Sequence, residues 1–156
     1  MKSFFSSRIL VTLAIGGLLV IPNIGLAKDV VGSGTVTYIQ TSSSSDTLTD
    51  GTTIEHFTSA AVILCDDAEN SLHLAQQDVA GTNIIDAKGE VVTSTGHGSA
   101  VDRDGDIMVF WWKDGEWGFF GGTGKYAKVK GGGTSTTLLI TADGRQVITW
   151  EGKWTE

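Results

Sequence analysis

One cysteine and one proline are all the chain has of either residue, and each scarcity excludes something. A lone Cys65 cannot close an internal disulfide, so stability has to come from packing. It ends the apolar run Ala60 to Leu64 and reads as a small buried hydrophobe. The single proline, Pro22, leaves everything after it free to run in strands. Basic residues are also few, eleven against eighteen acidic, for a net charge of −7. Such a surface repels nucleic acid and anionic lipid. Paired catalytic carboxylates, a nucleophile beside a base and any spacing typical of a metal site are missing as well, so no particular reaction is implied and neither metal nor cofactor is expected.

What is present begins with a segment unlike the rest. Lys2 and Arg8 precede an apolar run from Ile9 to Ile21. Pro22 then breaks the run, and Gly25-Leu26-Ala27 offers the small residues that a signal peptidase reads. Residues 1–27 therefore read as a secretory signal peptide, with a retained anchor as the rival because no charge lies between Arg8 and Lys28. Removal of this segment leaves residues 28–156, enough for one domain with its own core and no further membrane segment. That part carries nine basic and eighteen acidic residues and eighteen glycines. The expected location is secreted or periplasmic.

From Lys28 onward the pattern is that of strands. Threonine, valine and isoleucine alternate with polar residues at period two, and turn residues interrupt them at short spacing. Gly34–Thr41 reads as a strand with Val36 and Tyr38 on one face, and the serine-rich Thr41–Asp50 as a solvated loop. Thr53–Cys65 is a long strand candidate, with Ile54, His56, Thr58, Ala60, Val62 and Leu64 sharing one side. Asp66–Ser71 reads as a turn, and Leu72–Asp78 fits a strand or a short helix equally. A turn at Ala87–Gly89 separates two apolar edges. Val91–Val101, with His97 between two glycines, should be bulged or strongly curved. Asp106–Trp112 and Glu116–Phe120 flank Lys113-Asp114-Gly115, a hairpin signal repeated at Ala142-Asp143-Gly144 between Thr134–Thr141 and Arg145–Trp154. About eight sequential antiparallel strands result, and closure into a barrel would remove their edges.

The stretch Gly121-Gly122-Thr123-Gly124-Lys125-Tyr126, continuing through Lys130-Gly131-Gly132-Gly133-Thr134, resembles a signature of the allene oxide cyclase-like barrels, a group related to dirigent proteins and similar in architecture to calycins. Asp102-Arg103-Asp104-Gly105-Asp106, leading into an aromatic strand, is similar to what small exported bacterial members show. The resemblance covers about 35 residues of the second half. It implies an all-β, eight-stranded closed barrel with a lumen, in which the matched glycines are architectural. Counterparts of the polar residues with which the plant cyclases hold their epoxide are missing, so the resemblance carries scaffold and no catalytic residue.

Several constellations compete for a site. Asp102, Asp104 and Asp106 resemble the start of a calcium loop, but the glycine and the closing acid fall at the wrong positions, and a polar loop explains them equally. His56, His73 and His97, with Cys65, could converge on zinc without showing any zinc spacing. Gly121–Lys125 lacks the spacing of a phosphate loop and the helix that must follow one, which leaves Lys125 expected in solvent. The densest feature is aromatic: Trp111, Trp112, Trp117, Phe119, Phe120 and Tyr126. Consecutive Trp111 and Trp112 must point to opposite faces of a strand, one inward and one outward, where a partner subunit could pack. Trp111, Trp117, Phe119 and Tyr126, with His97 as an acid-base group, form the expected contact set for a small apolar ligand. The sequence thus points to a non-enzymatic exported barrel that binds such a molecule or serves as an interaction domain. The alternative is a cofactor-free isomerase or cyclase acting on a lipid-like substrate, with His97 or Glu55 facing the lumen.

Overall fold

The computed structural model describes residues 27–141 and 143–156. The signal-peptide reading falls, up to residue 26, outside the described residues. Eight strands follow one another: β1 (Asp29–Thr47), β2 (Thr53–Cys65), β3 (Gln76–Ile85), β4 (Val91–Val101), β5 (Ile107–Lys113), β6 (Glu116–Gly122), β7 (Lys130–Ile140) and β8 (Arg145–Thr155). Each pairs antiparallel with the next, and β8 returns to β1, so the sheet closes into a barrel with no free edge. The all-β closed barrel expected from the alternation is the fold the chain adopts.

Turn chemistry sets the register. Four connections share one pattern, Leu48–Thr52, Asp86–Glu90, Asp102–Asp106 and Thr141–Arg145. In each, the first amide donates to the fifth carbonyl, and the fourth residue is a glycine whose amide donates back to the first carbonyl. Those glycines, 51, 89, 105 and 144, sit at φ +87°, +88°, +85° and +79°. This is the three-residue hairpin with a left-handed third position, which glycine adopts without steric cost. The β5–β6 hairpin is tighter: Asp114 and Gly115 both take positive φ, +49° and +88°, the two-residue turn whose twist matches that of its strands.

Two expectations differ from the structure. The serine-rich run is not a loop: β1 continues through it after a register shift between Gln40 and Ser42, and Ser42–Thr47 pairs with Thr53–Thr58. Hydroxyl contacts there, such as Thr41 and Ser42 to Thr58 at 2.7 Å, supply cross-strand interactions that polarity alone does not advertise. β4 is bulged, but at its start and not at His97. Ile84 and Ile85 pair with Thr93 and Val91, which leaves Val92 as the extra residue, while the register around His97 runs unbroken with β3 from Thr93 and with β5 from Thr95 to Val101. Its glycines serve a different purpose.

That purpose is room for rings inside a narrow barrel. A side chain on Gly96 would lie 2.3 Å from the Trp112 ring, one on Gly98 2.8 Å from Phe110, and one on Gly152 2.4 Å from Trp117. The large residues of one strand thus lie over the bare backbone of its neighbour. Each buried aromatic side chain hides ~150–250 Å², about 4–6 kcal/mol of gross transfer energy at ~25 cal/mol/Å². Filling Gly96 in the variant Gly96→Val should cost about 1–3 kcal/mol of unfolding free energy by overpacking and should alter the near-UV circular dichroism of the displaced Trp112. Gly89→Ala meets no neighbour within 4 Å. It should cost about 1–2 kcal/mol through its left-handed backbone and leave that spectrum unchanged. Denaturant melts and near-UV spectra of the two variants check both statements.

Candidate functional site: a lumen plugged at one end

The two ends of the barrel differ because their connections differ. The short turns 48–52, 86–90, 114–115 and 141–144 lie at one end. At the other lie the longer segments 66–75 and 123–129, with the short turn 102–106 between them. Leu72 and Ala75 of the first long segment, and Tyr126 and Val129 of the second, are buried with Ala100, Met108 and Trp154. This end is plugged.

The plug is pinned by an ion cluster in the Asp102 loop. Asp102 Oδ1 accepts the amides of Asp104 and Asp106 at 2.9 and 3.0 Å. Its Oδ2 accepts Lys125 Nζ at 2.6 Å and the Tyr126 hydroxyl at 3.0 Å. Lys125 also reaches Asp104 at 2.5 Å and stands 3.8 Å from Asp106. The cation among the three carboxylates is therefore the ammonium of Lys125, which is not left in solvent as its glycine-rich setting suggested. The turn itself is ordinary: Asp86 Oδ1 accepts the amides of Lys88 and Glu90 at the opposite end in the same way. A calcium-loop reading is unnecessary, because the turn explains the spacing and a lysine supplies the charge. Among the described residues no group of three or more histidine, cysteine or carboxylate side chains could hold a metal. His56 pairs with Thr82, His73 accepts the Cys65 amide, and His97 is exposed on another strand. Burial pushes the Cys65 thiol up to about 12, consistent with an inert packed side chain.

Above the plug lies a cavity of about 560 Å³ that extends to the rim at Gly115 and Gly144. Its lining mixes polar and apolar groups, with Val36, Phe57, Ile63 and Val79 among the residues from β1–β3 and Gln146 from β8. Strands β1–β3 bring Tyr38, Gln40, Glu55, Ser59, Gln77 and Asn83; strands β5, β6 and β8 bring Phe110, Trp112, Trp117, Phe119 and Trp150. Trp117 meets Phe119 at 5.4 Å and Trp150 at 6.0 Å edge to face, and Trp112 lies tilted 6.3 Å from Phe57. Among the polar groups the Tyr38 hydroxyl donates to Gln77 Oε1 at 2.9 Å, and Asn83 donates to Glu55 at 2.9 Å. Burial raises the Tyr38 pKa, keeping the phenol neutral.

The expected contact residues separate by strand parity. Trp117 and Phe119 line the lumen. Trp111 does not: its neighbour Trp112 takes the inward position, while Trp111 lies over Gly118 on the outside. His97, paired with Trp111 across β4–β5, is outside too. Tyr126 is fully buried in the plug, on Asp102, rather than in the cavity. Sequence reasoning passed over Tyr38, Phe57, Gln77 and Trp150 as lumen residues, although the even positions of β1 and β8 and the odd positions of β2 and β3 carry them inward.

The closed barrel of eight sequential antiparallel strands is dirigent-like in fold. Among solved structures the chain is similar to the pterocarpan synthase dirigent protein GePTS1, with a TM-score of 0.53, 10% sequence identity and coverage of 99% of both chains. It is likewise similar to the pterocarpan synthase dirigent protein PsPTS1, with a TM-score of 0.51, 10% identity and coverage of 81% of this chain and 94% of that one. Identity this low establishes a shared fold. No protein-family model matches the chain, and no curated protein matches it in sequence.

The Asp102 cluster has a definite pH signature. Burial would raise the Asp102 carboxyl, but hydrogen bonds from Lys125, Tyr126 and the loop amides outweigh it and hold the pKa below the ordinary 3.8. A carboxyl lowered by folding stabilises the native state above its unfolded pKa, and that stability disappears as pH falls through the folded value. Asp102→Asn should therefore lower the unfolding free energy by about 2–3 kcal/mol at neutral pH, less than for an isolated buried pair because Lys125 keeps Asp104. The gap between variant and wild type should hold at neutral pH and narrow as the pH falls from 3.8 through the lower folded value, as read from urea melts across the acid range.

Proposed function

We propose that this barrel is an exported binding protein that takes a small apolar molecule into its lumen. The observation that carries the proposal is the cavity of about 560 Å³ faced on one side by Trp112, Trp117, Phe119 and Trp150. That volume lies within the ordinary range for small-molecule sites, and its aromatic and aliphatic side chains suit apolar ligands. The export half rests on the charged start, apolar run and small-residue exit of residues 1–27. Export predicts that the protein recovered outside the cytoplasm begins at Lys28.

A second reading is favoured by one placement: Glu55 faces the lumen and is oriented by Asn83. A carboxylate held there could move a proton on a bound substrate, making the barrel a cofactor-free isomerase or cyclase. His97, on the outer wall, takes no part in either reading. Self-association also has a surface available, since Phe120 beside Trp111 is 68% exposed.

The tryptophans report on the question directly. Titration of purified protein with lipids and terpenoids should quench or shift the intrinsic fluorescence. Trp117→Ala should weaken binding of any responding ligand by about tenfold or more, whereas Trp111→Ala should change it by less than about twofold. Equal losses in both variants, or no response across the panel together with empty protein in native mass spectrometry, would refute lumen binding. With a responding ligand, Glu55→Gln separates the readings: unchanged affinity with lost turnover supports the isomerase, and absence of turnover in the wild type supports the binding protein.

A further inference from the structure

We infer that the lumen selects neutral molecules carrying an acceptor oxygen, and that the indole N–H of Trp150 receives that oxygen. The inference rests on the lumen-binding reading and specifies the ligand's chemistry.

Two observations carry it. The first is an unanswered donor. Trp150 is 7% exposed, and its Nε1 is buried without a hydrogen-bond partner among the described residues. The other tryptophans on the inner face are provided for: Trp112 Nε1 donates to Ser94 Oγ at 3.5 Å, Trp117 Nε1 to Thr134 O at 3.1 Å and Trp154 Nε1 to Glu156 at 3.2 Å. A buried N–H without an acceptor is rare because it forgoes the hydrogen bond it would make in water. Trp150 lines the lumen, so an acceptor brought in by a ligand can restore that bond once the neighbouring rings adjust. Neither neighbouring ring stacks flat on Trp150, Trp117 standing at 6.0 Å and 80° and Trp154 at 6.4 Å and 46°, and rotamer adjustments of this kind are common on binding.

The second observation is the charge of the walls. Among the described residues that line the lumen there is no lysine, arginine or histidine, and Glu55 is the one carboxylate. A ligand carboxylate would be desolvated with nothing to pair it and with Glu55 repelling it. Fatty-acid anions are therefore rejected, while ketones, esters and ethers of the same shape are accepted. Gln77 has its amide oxygen engaged by Tyr38, so the group it can turn to a ligand is again a donor. Both polar groups ask for an acceptor.

Calorimetry with two matched pairs tests this at neutral pH. Benzophenone differs from diphenylmethane by a carbonyl, and methyl laurate differs from laurate by a charge. The folded wild type should bind benzophenone about tenfold more tightly than diphenylmethane, and methyl laurate at least about tenfold more tightly than laurate. Trp150→Phe keeps the ring, and should abolish the benzophenone preference by weakening that ligand alone. The control Trp112→Phe removes an N–H that already has a partner, and should affect both members of the first pair equally. Equal affinity of benzophenone and diphenylmethane in the wild type, or survival of the preference in Trp150→Phe, overturns the inference while leaving lumen binding intact. Laurate binding as well as its ester overturns the demand for neutrality. Failure of all four compounds to bind, with no fluorescence response to the wider panel, removes the lumen reading and this inference with it.

Discussion

The structure depends on how large rings fit inside a barrel of eight strands. An interior of that width is barely filled by ordinary side chains, yet this chain turns Phe57, Phe110, Trp112, Trp117, Phe119, Trp150 and Trp154 inward. They fit because the strands beside them present glycine: Gly96 beneath Trp112, Gly98 against Phe110, Gly152 beneath Trp117. Ring and bare backbone interdigitate across the pleat, which lets the ladder close without forcing the rings off their rotamers. Closure in turn leaves no strand unpaired on either side, although the β6–β7 seam is only three pairs long, so a chain with a single free cysteine needs no covalent staple.

The unequal ends follow from the connections. Short glycine-ended turns leave one rim open, while the longer segments fold inward at the other and bury Leu72, Ala75, Tyr126 and Val129. Lys125 and Asp102 hold that plug in place with one buried carboxylate and one partly exposed ammonium. The lumen exists because the plug occupies one end and not both. Its rings come mainly from β5, β6 and β8, while β1–β3 mix polar groups such as Glu55, Gln77 and Asn83 with Val36, Phe57, Ile63 and Val79.

Much of this was legible in the residues. Period-two alternation marks β2, β4, β5, β6 and β8 close to their observed limits, and Asp114-Gly115 marks its hairpin. Two signals misled. Ser42–Ser45 reads as loop because serine is hydrophilic, yet β2 supplies a partner for each residue of the run, and pairing outweighs intrinsic preference. The glycines around His97 read as a distortion of the strand, when they are space for rings that lie far away in sequence. The shared geometry of the four glycine-ended turns could have been recognised earlier from the placement of Gly51, Gly89, Gly105 and Gly144.

Local chemistry determined the strands, their turns, their sequential order and hence the all-β class, because alternation and turn preference are properties of adjacent residues. Which face of each strand points inward was decided only on closure. Alternation tells Trp111 from Trp112 as opposite in direction but does not say which is inside; the register across β4, β5 and β6 does. The company kept by Lys125, and the isolation of the Trp150 N–H, belong to the same category. Each depends on groups from different strands or connections meeting, or failing to meet, once the strands have paired.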